Sequence, residues 1–443
     1  MTPAFQFEVR AEPTPLVNKT VELLQRHLKE RCGIHAVAVE GAGQPRLVLD
    51  VRPGVGTEGF CIEDGPAGGV RIVGNDERGL LYGLGKFLRS SRFEEGSFIP
   101  GTWRGRSLPE KPLRGIYFAS HFHNFYHDAP VWEVQRYVEE LSLWGLNALM
   151  VWFDMHHFNG MGDPTAREMI DCLRVILRAG KGAGMKVGLC LLANEAYANS
   201  PVELRSDPRT GRAHYGVELC PHKPGARELM LHWFDEEFAA FSDIGLDQIW
   251  IWPYDQGGCA CGECKPWGAN GFLIMAEAVA DVFRRHSPSG KAILSTWLFD
   301  FRKDEGEWRG LAEAFAKPPA WLDYILADSH EDFPAYLLTH PVPGGLPLLN
   351  FPEISMWGMY PWGGYGANPL PRRFQRLWDS VGQMLSGGFP YSEGIFEDIN
   401  KAIISQFYWN GKTKAEDAVR EYVAYEYSPD VVEDVARAIQ ILE

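Results

Sequence analysis

The chain has 443 residues, 45% hydrophobic and 13% aromatic, with 58 acidic against 43 basic side chains and a formal charge of −15. That balance argues against nucleic acid or an anionic membrane as partner, since both need clustered Lys and Arg, and 15 Trp, 16 Tyr and 25 Phe argue against disorder. The length suits two domains, one of them large, with a core that needs no disulfide or metal to hold it.

The first twelve residues show no basic stretch followed by an apolar one, and no window approaches 18 uninterrupted apolar residues. Neither an export signal nor a membrane span is expected, and the expected location is cytoplasmic. Residues 5–9 alternate as a strand. Residues 16–31 place Leu16, Val17, Thr20, Leu23, Leu24 and Leu28 at helical spacing. Strands are predicted at 46–51, 59–62 and 69–73, then a turn over 74–79 and a helix over 80–88. Gly83-Leu84-Gly85 within that helix follows no suitable strand and reads as packing, not a phosphate loop. Residues 1–105 thus form a small α/β domain, and the polar stretch 92–111, with its Gly and Pro, reads as a linker.

From residue 113 a short apolar run, a polar or aromatic stop and an amphipathic stretch recur. Strands are predicted at 115–120, 148–153, 186–192, 248–254, 292–297, 324–327, 347–351 and 389–391, with helices such as 131–143 and 272–285 between most of them. Eight strands alternating with helices predict a (β/α)8 TIM barrel over residues 106–443, behind the small α/β domain. The chain ends inside a helical pattern at 431–443, compatible with continuation into a further region.

Chemistry in such a barrel gathers where the strands run out at the C-terminal face. The eight stops carry His121 and His123; Trp152 and Asp154; Glu195; Tyr254 and Asp255; Trp297; Asp328 and His330; Glu353, with Trp357 just beyond; and Glu393. Carboxylates beside aromatics are what sugars ask for. Rings pack on the C–H faces of a pyranose, carboxylates and His bond its hydroxyls, and glycosidic cleavage needs one protonated and one ionised carboxyl. Basic residues are scarce at this rim, Arg114 and Arg212 being the nearest in sequence, so a strongly acidic sugar is not specially indicated.

The order of a small α/β domain ending Val73-Gly74-Asn75-Asp76-Glu77-Arg78-Gly79-Leu80-Leu81-Tyr82-Gly83, then a barrel, resembles family-20 β-hexosaminidases and family-67 α-glucuronidases. It is most similar to a bacterial group of hydrolase-like proteins related to both, which shares a Cys-rich loop after strand 4 and a Ser-Glu-Gly-x-x-Glu-Asp-x-x-Lys stretch, here Ser392 to Lys401. The resemblance implies an exo-acting glycoside hydrolase. In family 20 an Asp-Glu pair follows strand 4, the Asp holding an acetamido group and the Glu serving as acid. Here Asp255-Gln256 stands there, and Gln cannot deliver a proton. Asp255 is then the candidate acid. Glu393, through the family-like stretch, ranks ahead of Glu353, through the strand-4 and strand-7 pair of the large retaining clan, as its partner.

Cys259-Ala260-Cys261-Gly262-Glu263-Cys264 places three thiols in six residues, with Cys220 as a fourth and His222 as a substitute. Four thiolates would hold a structural zinc ion; free thiols or a disulfide are the other readings, and no cofactor is expected for catalysis. Two further classes stay open. A carbohydrate-binding protein without catalysis is suggested by Gln256. A metal-dependent amidohydrolase-like barrel is suggested by His121-x-His123 and His330, although Tyr254-Asp255, Thr296-Trp297 and Glu393 stand where that class has Lys, His and Asp. In each sugar reading the partner is a saccharide, and a homo-oligomer is compatible with the sequence.

Overall fold

A computed structural model describes residues 4–39, 45–121, 123–207, 216–253, 258–300, 306–329, 332–352, 368–395 and 398–443. The N-terminal part contains β1 (Phe5–Val9), β2 (Ala36–Ala38), β3 (Leu47–Val51), β4 (Phe60–Asp64), β5 (Val70–Gly74), a hairpin of β6 (Arg92–Glu94) and β7 (Ser97–Ile99), and β8 (Gly105–Ser107). The main sheet runs β2-β1-β3-β5-β4-β8, parallel from β2 to β5 and antiparallel at β4 and β8. Two helices cover it, Pro15–Cys32 and Glu77–Arg89. Thr14 caps the first, which ends on left-handed Gly33; Asp76 caps the second by accepting from the Gly79 amide. Asn75 accepts from the amides of Gly54, Val55 and Gly56, so the turn that carries the family resemblance is a loop-fastening device. A Cβ on Gly83 would come within 2.6 Å of Ile72, which bears out its reading as packing.

The barrel comprises β9 (Leu113–Phe118), β10 (Ala148–Trp152), β11 (Lys186–Leu192), β12 (Gln248–Trp252), β13 (Lys291–Ser295), β14 (Tyr324–Asp328), β15 (Leu348–Phe351), β16 (Leu385–Gly388) and β17 (Tyr391–Ser392). Strands β9 to β16 are parallel in sequence order, and β16 closes back on β9. The short β17 prolongs that last position alongside β9. Because helices cover the outside and side chains fill the inside, these strands are apolar on both faces. On β10, Leu149 and Val151 pack outward under the helices, while Met150 and Trp152 enter the interior. No helix among the described residues is long and apolar enough to cross a membrane.

Two expectations need correction, and one residue close to the rim in sequence lies far from it. The stretch 92–111 is not a plain linker: its Phe93–Phe98 and Arg106 segments pair as the hairpin and as the sheet edge β8. The eighth barrel strand begins at Leu385, ahead of the expected 389. Its Gly387 has φ 134°, and a Cβ there would collide with the Leu113 carbonyl, so the glycines permit the close approach that shuts the barrel. Arg114 is not near the rim. As the second residue of β9 it lies at the N-terminal face, fully buried, donating to the carbonyls of Lys111 and Gly145 and at 2.7 Å to Glu58. Glu58, with φ 62°, also receives Arg78 and Asn147. This cluster joins the N-terminal sheet to the barrel.

Candidate active site

The floor of the site is aromatic. Trp250 and Trp252 point to the same side of β12 and stack nearly parallel, centroids 4.9 Å apart. Trp152 stacks on Trp252, and Trp297 meets Trp252 and Phe351 edge-on at 5.5 and 5.6 Å. Trp152 is fully covered, a floor member more than a contact face, whereas Trp297 is half-buried. His121 lies on Trp152 at 4.5 Å, with Nδ1 2.6 Å from the Tyr117 hydroxyl. Burial, reinforced by His157, His156 and His127 nearby, holds its pKa well down, so the ring is neutral.

Carboxylates surround this floor. Asp154, just past β10, is 2.5 Å from His156 Nδ1 and 3.8 Å from His157 Nε2, and it caps the turn Met155–His157. Glu195, after β11, is buried and accepts from the Met155 amide at 2.5 Å and the Leu192 amide at 3.1 Å. It therefore braces one strand end against the next. Burial first, then the Asp154 charge and a hydrogen bond to it, push Glu195 well above the usual carboxylate range. A hydrogen bond links the two carboxyls. Beneath lies Glu237, fully buried on the helix Ala226–Ala240, with no hydrogen-bond partner for either oxygen among the described residues. Burial, then Glu195 and Asp154, raise it as well.

On the other side, Asp328 ends β14 and is half-buried. Glu393 follows β17 and accepts from the Tyr391 hydroxyl at 2.5 Å. The Tyr391 ring is 5.9 Å from that of Tyr117, so two neighbouring phenols bring Glu393 and His121 onto one wall. The conspicuous Ser392–Lys401 stretch serves this turn. Buried Lys401 donates to the Gly394 carbonyl and to Tyr137, Tyr137 donates at 2.6 Å to Asp398, and the Ser392 hydroxyl meets that of Tyr126 at 2.5 Å. A cationic side chain is buried here to hold one carbonyl in place beside Glu393.

His121, His123 and Asp154 share a cavity of about 550 Å³ with His157 and with His127, which sequence reasoning did not single out. His123 is exposed and pairs with Asp128 at 3.1 Å. With His121 held by Tyr117, the two do not converge as a metal pair. Burial lowers the pKa of both His127 and His157. Tyr254, Asp255, His330, Glu353 and Trp357 lie outside the described residues, as does Arg212. Among the described residues nearby, the buried Trp267 donates at 2.7 Å to the Pro253 carbonyl, and a Cβ on Gly258 would come within 2.5 Å of its ring. Pro253 and Gly258 thus rest on one indole. Glu237 had a readable signal, since Met230, Phe234, Glu237 and Phe238 fall on the buried side of one helix. Tyr391 had none beyond its place in a strand.

Among the described residues, two groups have metal-like spacing: Asp154 with His156 and His157, and Cys220 with Cys259, Cys261 and Cys264.

No protein-family profile and no curated relative matches the sequence. Solved structures do match along essentially the whole chain. A chitobiase of Flavobacterium johnsoniae superposes with a TM-score of 0.64 at 14% identity, over 100% of this chain and 72% of its own. A β-N-acetylhexosaminidase of Bacteroides fragilis gives 0.62 at 13%, over 99% and 92%. A family-115 4-O-methyl-α-glucuronidase gives 0.65 at 11%, over 99% and 61%. The chain therefore has the fold of these glycoside hydrolases, with the α/β region ahead of the barrel in place.

Proposed function

We propose that this protein is a glycoside hydrolase acting on the end of a saccharide, with its chemistry at the C-terminal face of the barrel. The observation that carries this reading is Glu393, held by the Tyr391 hydroxyl at the edge of an aromatic floor, in a fold shared with glycoside hydrolases. A donated hydrogen bond favours the ionised form of a carboxyl, which suits Glu393 as the ionised member of the pair that glycosidic cleavage requires. Asp255, at the end of β12, is the proposed proton donor, and Glu353 is the alternative partner. Trp297 supplies a face for the sugar ring, with Tyr254 and Trp357 as further aromatic candidates. Asp154, Asp328, His121, His123 and His330 are the candidate hydroxyl ligands, and Glu195 positions the Asp154 turn. The indole N–H of Trp252 finds no acceptor among the described residues and offers one more donor at the floor.

The test is turnover on a panel of aryl glycosides and oligosaccharides, with the anomer of the product read by NMR. Glu393→Gln and Asp255→Asn should each lower turnover by roughly two to four orders of magnitude at an unchanged denaturation midpoint. Near-normal turnover in either variant removes that residue from the pair. Saccharide binding by calorimetry without any hydrolysis would favour the non-catalytic reading, to which Asp255-Gln256 points.

A further inference from the structure

The four thiols near the end of β12 form a site of their own. Cys220 Sγ lies 3.8 Å from both Cys261 Sγ and Cys264 Sγ, and all four sulfurs fall within 4.8 Å of one another. A disulfide would need sulfurs about 2.05 Å apart. Four thiolates around one zinc ion, at Zn–S of about 2.3 Å in a tetrahedron, place neighbouring sulfurs about 3.8 Å apart. The observed spacing is the second kind. Three of the four residues are buried, and the fourth is partly so.

The backbone is arranged for sulfur anions. The amides of Cys261 and Asp207 donate to Cys259 Sγ, and the amide of His222 donates to Cys220 Sγ. His222 thus contributes its backbone, and its imidazole is not among the clustered donor atoms. The two loops that supply the thiols are also held by backbone hydrogen bonds, to the rest of the chain and to each other. Leu219 exchanges hydrogen bonds with Asn194, at 3.0 Å from its own amide and 2.9 Å to its carbonyl. Ala260 donates to the Asp207 carbonyl at 2.9 Å, and Gly271 donates to the Cys264 carbonyl at 3.3 Å.

We infer that Cys220, Cys259, Cys261 and Cys264 bind one zinc ion as a closed tetrathiolate, stapling the loop after β11 to the loop after β12. Four protein sulfurs leave no coordination position for water, so the ion is structural and takes no part in bond cleavage. Its place gives it a purpose. One loop begins at Glu195, which braces Asp154, and the other follows directly on residues 254–257. The site goes beyond the glycosidase reading and stands whether or not that reading holds.

Metal analysis of the full chain, purified without chelator, should return about one zinc per chain. The four cluster thiols should resist a thiol reagent until a mercurial displaces the metal, releasing one equivalent to a chromogenic chelator. Cys261→Ser and Cys264→Ser should each lose most of the zinc, while Cys61→Ser, outside the cluster, keeps it. Cobalt exchanged into the wild-type chain should show thiolate-to-cobalt charge transfer with the intense visible bands of a tetrahedral site. This last readout stands even if the serine variants fail to fold. Metal-free protein with four freely reacting thiols, a disulfide found by mass, or iron in place of zinc would each overturn the inference. Loss of hydrolysis alone would bear only on the proposed function.

Discussion

The two faces of the barrel use the same residue types to opposite ends. At the N-terminal face buried Glu58 and half-buried Glu421 have cationic company. Glu58 is held by Arg114 and Arg78, and Glu421 receives Arg89 at 2.8 Å and Lys86 at 2.9 Å. Burial alone would raise these two acids, but the cations outweigh it and both titrate low, Glu421 at about 2. At the C-terminal face Asp154, Glu195 and Glu237 are buried beside one another, and among the described residues neither oxygen of Glu237 has a hydrogen-bond partner. Glu195 and Glu237 accordingly titrate high. Paired charge at one face fastens the small sheet to the barrel; accumulated acid at the other costs stability and raises the acids' pKa values, a pattern that clusters at functional sites.

The comparison breaks most decisively at Arg114. Arg114→Met should strand Glu58 as a buried charge and cost about 3–5 kcal/mol in urea denaturation, with part of that loss restored when Glu58→Gln is added. An Arg114→Met chain of normal stability would mean that the interface does not depend on the pair. Next comes Glu421. Its folded pKa is depressed, so its contribution is present above the ordinary carboxylate value near 4.5 and is lost as pH falls from there toward 2. Glu421→Gln should therefore lower stability at pH 7 by roughly 2–3 kcal/mol and flatten the acid limb of the stability curve. The smallest effect has the opposite sign. Glu237→Leu should raise stability by about 1–2 kcal/mol at neutral pH by removing a buried, unpartnered carboxyl. Because Glu237 is raised when folded, the wild type loses stability as pH rises above the ordinary carboxylate value near 4.5, and the variant's advantage should widen over the range above it. A variant advantage that stays constant across that range would show that Glu237 does not titrate there.

Much of this architecture could be read from periodicity. The segment 186–192 was expected as a strand and is one from Lys186 to Leu192; the helix expected at 131–143 runs from Val131 to Leu143. Long elements buried on one or both faces announce themselves in this way. What stayed hidden depends on backbone geometry. Leu385-Ser386-Gly387-Gly388 has the composition of a turn, and only the proximity of β9 explains why glycines build a strand there. Arg114 stands only seven residues before His121 in sequence, yet strand direction puts it at the opposite end of β9. At the site, the residue types that converge on the rim were legible in order along the chain. The division of labour was not. Whether a carboxylate such as Glu195 faces a ligand or braces two amides follows from burial and partners, not from its position after a strand.

Trp267 has an implication for how such a site changes over time. With its indole N–H on the Pro253 carbonyl and its ring filling the space beside Gly258, it fixes where the segment between them must begin and end. Pro253 and Gly258 therefore share one support, and substitutions that spare Trp267 leave both positions as they are. A library that keeps these three residues fixed is a natural starting point for laboratory evolution at this face of the barrel.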